Sequence, residues 1–347
     1  MRPVLALLVT SALAVASPVA SAVRSQTSSP VLAWRPTTPL PRGVDHHATF
    51  ATRGSLGDLL WVAGGNDYKT THANVVCGRI DAAGSIGEWR ESTPLPAARA
   101  GLAVAQSDRY VIVSGGKDAT QRTMTDVFVA AIAADGTLGA WRSTTPLPAP
   151  RFHHTMFVHG ADLYVIGGLE GPISVDAVLR ARVADDGSIA RWETLPPLPQ
   201  PRSHHGLVVD RGWIYLTGGL DGNPAGRNTP LASVIRARLT DDGIGAWETQ
   251  TDLPHAYATH ASVAFGGQLH VIGGVEDNTR FVDAILRAPI GAGGRLGAWQ
   301  KLDPGLPAAR SHVHQTPVVN GRLYTAGGSN ARVVKTEVYV GERSARF

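Results

Sequence analysis

From residue 31 onward, apolar residues alternate with polar ones, or run several together, in short bursts that Gly, Pro, Asn and Asp bring to a close. The third repeating unit shows the pattern clearly: HHTMFVHG (153–160), DLYVIGG (162–168), VLRARVADDG (178–187) and ARWETLPPL (190–198). Alternation over four to eight residues between turn signals predicts strands, and each unit carries four. The units recur at a fixed period. Their anchor tryptophans Trp34, Trp89, Trp141, Trp192, Trp247 and Trp299 are separated by 55, 52, 51, 55 and 52 residues. A period of this length, with four strands per unit, reads as a propeller blade rather than a globular domain of mixed elements.

Turn chemistry supports the same reading. Asp135-Gly136, Asp186-Gly187 and Asp242-Gly243 supply the positive φ angles of a tight hairpin between third and fourth strands. A double glycine ends each second strand (Gly64-Gly65, Gly115-Gly116, Gly167-Gly168, Gly218-Gly219, Gly273-Gly274 and Gly327-Gly328), where missing side chains allow neighbouring backbones to approach. The tryptophan of the fourth strand fills the gap between neighbouring units, and the Pro-Leu-Pro that often follows stops the strand.

An apolar strand ending in a double glycine, a downstream tryptophan, and Arg-x-x-His before the next strand together resemble the kelch repeat over roughly residues 31 to 345. The resemblance implies an all-β, six-bladed kelch-type β-propeller. Residues 31–40 (VLAWRPTTPL) read as a fourth strand without partners, and the last unit stops after its third-strand run VVKTEVYVGE. The N-terminal strand is therefore expected to complete the C-terminal blade and remove two exposed edges.

Residues 1–22 carry Arg2, a short apolar stretch and the small-residue site Ala20-Ser21-Ala22, the pattern of a secretory signal peptide. Residues 23–30 read as a linker and 31–347 as the propeller. The mature chain is expected to be secreted or periplasmic, monomeric and without a membrane span, the apolar stretch being too short for one. The net charge of +4 is a weak basic bias with no dense basic stripe, so nucleic acid is not expected as a partner. Cys77 is alone, which excludes an intramolecular disulfide and leaves it as a small apolar group in a third strand.

Candidate chemistry gathers where the innermost strands begin. His46, His47, His153, His154, His204, His205, His260, His312 and His314 fall there, with Arg99, Arg151, Arg202 and Arg310 just before them. Loops after the double glycines bring Asp67, Asp118, Glu170, Asp221, Glu276 and Asn330 to the same face. Three readings follow. The groups tie blades together through charge-assisted hydrogen bonds. Converging imidazoles hold a metal ion. Or guanidinium forks and histidines take an anionic ligand. Adjacent arginines would repel a cation and no short ligand motif fixes a geometry, so neither a metal nor a cofactor is expected.

Departures from repetition are better places to look for recognition. The second unit has Gly101-Leu102 in place of histidines, and the fifth has Tyr257 in place of arginine. The loop 220–233 carries Arg227 and Asn228, the first loop Tyr68, Lys69 and His72, and the fifth Arg280 and Phe281. The alternating Arg180, Arg182, Arg236, Arg238 and Arg287 read as one solvated strand face. The expected function is a binding module for a glycan, sugar acid or protein partner through Arg99, Arg151, Arg202, Arg310, Asp221, Arg227, Asn228 and Tyr257. No nucleophile elbow or phosphate-cradling loop is present. Exported six-bladed kelch proteins include the bacterial sialic acid mutarotase, which interconverts anomers of N-acetylneuraminate. Similarity to it in signal peptide, blade count and arginine-rich face implies an alternative. That alternative is a mutarotase or epimerase in which Glu170 or Glu276 and His154 or His205 exchange the proton.

Overall fold

The computed structural model describes residues 31–344 apart from 224, 226 and 332. The expected signal peptide and linker lie outside the described residues. Among those described there is no α-helix, only a single 3-10 turn at Ala292–Gly294, and no helix is long and apolar enough to cross a membrane.

Six four-stranded antiparallel sheets follow one another along the chain. Sheet 1 is built from Ala48–Gly54, Gly57–Ala63, Val75–Ile80 and Ile86–Ser92 in that spatial order. Sheets 2 to 5 repeat the order over 103–144, 155–195, 206–249 and 261–302. Sheet 6 combines Val318–Val319, Arg322–Ala326 and Val338–Ser344 with the N-terminal strand Val31–Thr37 at its outer edge. That pairing runs antiparallel from Val31 opposite Ser344 to Thr37 opposite Val338. Two sheet edges are thereby removed by joining the ends of the chain.

The second strands are buried throughout, as in YVIVS (110–114) and DLYVI (162–166), because each sheet is packed on both faces. Apolar clusters sit between consecutive sheets. One joins sheets 1 and 2 through Trp61, Val111 and Phe128, and others join 2 to 3, 3 to 4, 4 to 5 and 5 to 6. The last, with Leu60, Val62, Tyr324 and Val340, packs sheet 6 against sheet 1 and completes the ring. Each large aliphatic side chain buried there contributes about 1.5–3 kcal/mol. The outer tryptophans Trp89, Trp192 and Trp299 donate their indole N–H to Thr38, Thr145 and Thr251 carbonyls of the preceding linker.

One sequence expectation is corrected here. The third-strand arginines do not form one solvated face. Arg236 is buried, stacks 4.0 Å from the Trp213 ring and pairs with Glu248 at 2.8 Å, and Arg287 is buried too. Arg182 and Arg238 remain exposed. Cys77 lies half-buried in the third strand of sheet 1, where burial raises its thiol pKa.

Candidate functional site

Immediately before each innermost strand the backbone makes the same unusual step. His46, Gly101, His153, His204, Thr259 and His312 all take left-handed φ angles, between 52° and 70°. A chain of main-chain hydrogen bonds links the first five around the axis, from Gly101 N–H to His46 O (2.8 Å), His153 to Gly101 (2.9 Å), His204 to His153 (3.1 Å) and Thr259 to His204 (2.9 Å). The strained conformation, about 1–2 kcal/mol for a residue with a Cβ, is held by this bonding. The consequence for the side chains is direct. His46 stacks on His312 with centroids 3.6 Å apart, His153 stacks on His204 at 3.7 Å, and the two pairs meet at 5.1 Å between His46 and His153.

Asp45 anchors this cluster. It is wholly buried, with Oδ2 3.0 Å from His46 Nδ1 and Oδ1 2.9 Å from His312 Nδ1. The Tyr68 hydroxyl donates to Oδ2 at 2.6 Å. Burial alone would raise the Asp45 carboxyl, but the two imidazoles beside it hold it well below the usual carboxylate range. His46 is pushed the other way, down, by burial and by His312, so it is a neutral base presented beside a carboxylate.

The histidine one residue further on turns into the wall. His154 Nε2 bonds Ser114 Oγ at 2.7 Å, His205 bonds Thr155 Oγ1 at 2.8 Å and His260 bonds Thr217 Oγ1 at 2.8 Å. His154 and His260 are held down to about 3 by burial. His47 occupies the equivalent position in the first sheet, and Val313 does so in the sixth. His314 is out of register. In sheet 6 the chain from 313 to 317 is not a strand, and Gln315 crosses to sheet 1 by accepting Thr49 N–H at 3.0 Å. The nine histidines thus divide into an axial group, a wall group and His314.

The arginines also belong to the wall. Arg99, Arg151, Arg202 and Arg310 are no more than 3% exposed. Each guanidinium donates to the first carbonyl of its own double glycine, Gly115 (3.3 Å), Gly167 (3.0 Å), Gly218 (3.1 Å) and Gly327 (3.0 Å). Each arginine carbonyl in turn accepts the N–H of the second glycine of the preceding sheet, as in Gly168 to Arg202 at 2.9 Å. A Cβ on Gly167 would lie 2.4 Å from the Arg202 carbonyl oxygen, and its φ of +59° disfavours any other residue. These four arginines lock neighbouring sheets and do not face a ligand, a correction to their expected binding role.

The remaining expected residues are spread out. Glu170 is exposed. Glu276 is buried and accepts the Tyr257 hydroxyl at 2.8 Å and Arg280. Tyr257 is 2% exposed, so it is not free to meet a ligand. Asp221 accepts Gln200 at 3.3 Å, and Arg227 and Asn228 are exposed on a short hairpin where Gly222 pairs with Asn228. Of the expected acid–base candidates, His154 and His205 sit in the wall, Glu170 is solvent-exposed and Glu276 is buried against Tyr257 and Arg280.

A cavity of about 630 Å³ opens where sheets 1, 2 and 3 meet at the axis. His46 and His153 form its inner wall, Asn66, Tyr68, Lys69, Thr70 and Thr71 line one side, and Lys117, Gln121 and Phe152 the other. Sheet 2, on one side of this cavity, departs from the repeat. Gly101 replaces the axial histidine, and a Cβ there would already touch the His153 ring at 3.4 Å. Lys117 follows the double glycine where the other sheets have Asn66, Leu169, Leu220, Val275 and Ser329. Its ammonium lies 4.2 Å above the Phe152 ring and, among the described residues, pairs with no carboxylate. Burial lowers its pKa.

Sequence reasoning missed Asp45, Lys117 and Phe152. The available signal was the same in each case, a residue type found once at its repeat position. Asp45 stands where the other units have Ala100, Phe152, Ser203, Ala258 and Ser311.

The fold and this site define a kelch-type propeller. The KLHDC2/KLHL20/DRC7 Kelch-repeats domain matches residues 45–274, and the chain belongs to the kelch-repeat family. It is 26% identical over 233 residues to Kelch-like protein 40 of Xenopus tropicalis, covering 66% of this chain and 35% of that protein. It is 25% identical over 305 residues to Kelch-like protein terF of Aspergillus terreus, covering 82% and 62%. The chain thus spans about a third of the length of the first relative and under two thirds of the second. A solved structure titled "Structure of YjhT" superposes with a TM-score of 0.68 at 15% identity, over 87% of this chain and 95% of that one, a likeness of fold.

Proposed function

We propose that this chain is an exported binding module that holds a carboxylate-bearing sugar, or an anion of similar size, in the cavity between sheets 1, 2 and 3. The observation that carries the reading is Lys117, a cation without a carboxylate partner among the described residues, set over an aromatic ring in a cavity of about 630 Å³. That volume suits one or two sugar rings. Lys69 adds a second positive charge at the rim, the Phe152 and Tyr68 rings supply apolar faces, and Asn66, Gln121, Thr70 and Thr71 supply hydroxyl and amide partners. Export rests on the signal-like residues 1–22. Calorimetric titration with sugar acids and their neutral counterparts tests the reading. Binding of the acids alone, weakened about tenfold by Lys117→Ala, supports it. Equal binding of both classes, or an unchanged Lys117→Ala variant, defeats it.

A second reading is favoured by Asp45 and His46. A neutral imidazole on the cavity wall, oriented through Nδ1 by a buried carboxylate, is the arrangement of a general base. It would serve exchange of a sugar anomer, with His46 taking and returning the proton. Anomer exchange followed by NMR, abolished by His46→Gln with binding retained, distinguishes an enzyme from a binding module.

A further inference from the structure

We infer that the mouth of the axis is a transition-metal site in which His46, His153 and His312 hold one divalent ion of the zinc, cobalt, nickel or copper class, with an open position toward the cavity. The inference goes beyond the binding reading and does not depend on it.

One ring nitrogen from each of the three histidines lies within 4.8 Å of the others. The three come from sheets 1, 3 and 6, so closure of the ring itself assembles them. An ion with metal–nitrogen distances of about 2.0–2.1 Å needs nitrogens roughly 3.3 Å apart with their in-plane lone pairs converging, so binding requires the partly exposed His46 or His312 ring to turn out of its stack, whose planes lie 29° apart. Side-chain exposures of 19% for His46 and 12% for His312 leave an entry path.

The surroundings match what metal-binding histidines require. Asp45 places a carboxylate oxygen 3.0 Å from His46 Nδ1 and 2.9 Å from His312 Nδ1, the carboxylate neighbour that metal-binding histidines commonly have at their non-ligating nitrogen. The carboxylate also supplies the negative charge that an all-imidazole ligand set lacks. The Tyr68 hydroxyl donates to Asp45, and His204 stacks on His153. The four repeat arginines point into the sheets, and Lys117 is the one cation lining the same cavity beside His46 apart from Lys69 at the rim. Three histidines with one open position form the ligand pattern of a reactive site rather than a closed structural one.

A second cluster, His255, Glu276 and Asp277, is the competitor that the experiment must separate. The untagged chain is titrated with Co²⁺, read by its visible absorption and by elemental analysis, and the ion is displaced with Zn²⁺. One ion per chain is expected. His46→Gln and His312→Gln should each weaken binding at least about tenfold, and Asp45→Asn, which keeps every ligand, about tenfold. His255→Ala should bind as the parent does. Melting curves of the metal-free variants confirm that they fold, and His153→Gln supplies a third ligand variant should one fail. Absence of a bound ion, unchanged affinity in the folded ligand variants, or loss confined to His255→Ala would overturn the inference.

Discussion

His204 and His205 are neighbours in sequence and opposites in the molecule. His204, held at φ +54°, stacks on His153 at the axis, whereas His205 is buried in the wall with Nε2 on Thr155. The same division separates His153 from His154 and His46 from His47. One left-handed residue turns the chain between the two positions, so a single step along the backbone separates groups that build the ring from groups that face its mouth. Repetition is complete enough in the wall to be structural. In the mouth it is broken, and Lys117, at one of the breaks, lines the cavity.

If the wall is what closes the ring, removing its closing strand should have the largest effect. Deleting Val31–Thr37 exposes the outer edge of sheet 6 along its whole register. Loss of a cooperative thermal transition, with aggregation, is expected by circular dichroism; a transition like that of the parent would show that closure contributes little.

Next in size is a wall arginine. Arg310→Ala leaves the Gly327 and Glu337 carbonyls without their buried donor and opens space against Tyr339. A loss of about 3 kcal/mol is expected in urea unfolding. A loss under about 0.5 kcal/mol would return the arginine to the surface and to ligand binding.

Acid sharpens the comparison further, because buried neutral histidines resist protonation. Burial holds His260 down to about 3 and His270 to about 4, against 6.5 unfolded. Between those values the unfolded chain binds more protons, so stability is fully present above about pH 6.5 and falls as pH drops toward 4. Each group adds a slope of up to about 1.4 kcal/mol per pH unit. Urea midpoints measured from pH 7.5 to 4.5 should fall, and those of His260→Gln should fall less steeply.

The fold was legible because it is written many times. Period, double glycine and tryptophan each recur at fixed spacing, and the unpaired first strand pointed to its place in sheet 6. The site was only half legible. The histidine-rich face stood out, but sequence spacing could not tell His204 from His205, since the left-handed turn between them is a property of the assembled ring. The arginines misled for a related reason: the partner common to all four is a main-chain carbonyl of the double glycine, which leaves no mark on a sequence. Asp45 and Lys117 were visible as exceptions, yet their meaning depended on which sheets meet across the axis.

The most direct test is the paired stability of His204→Gly and His205→Ala by urea unfolding. His204→Gly relieves the left-handed strain while losing a stacked ring and the part-buried hydrogen bond between Ser203 Oγ and His204 Nδ1 (2.9 Å), so a net change under about 1 kcal/mol is expected. His205→Ala leaves a cavity and an unpartnered Thr155 hydroxyl, for a loss of about 2–3 kcal/mol. Equal losses, or a larger loss in His204→Gly, would contradict the division between wall and mouth.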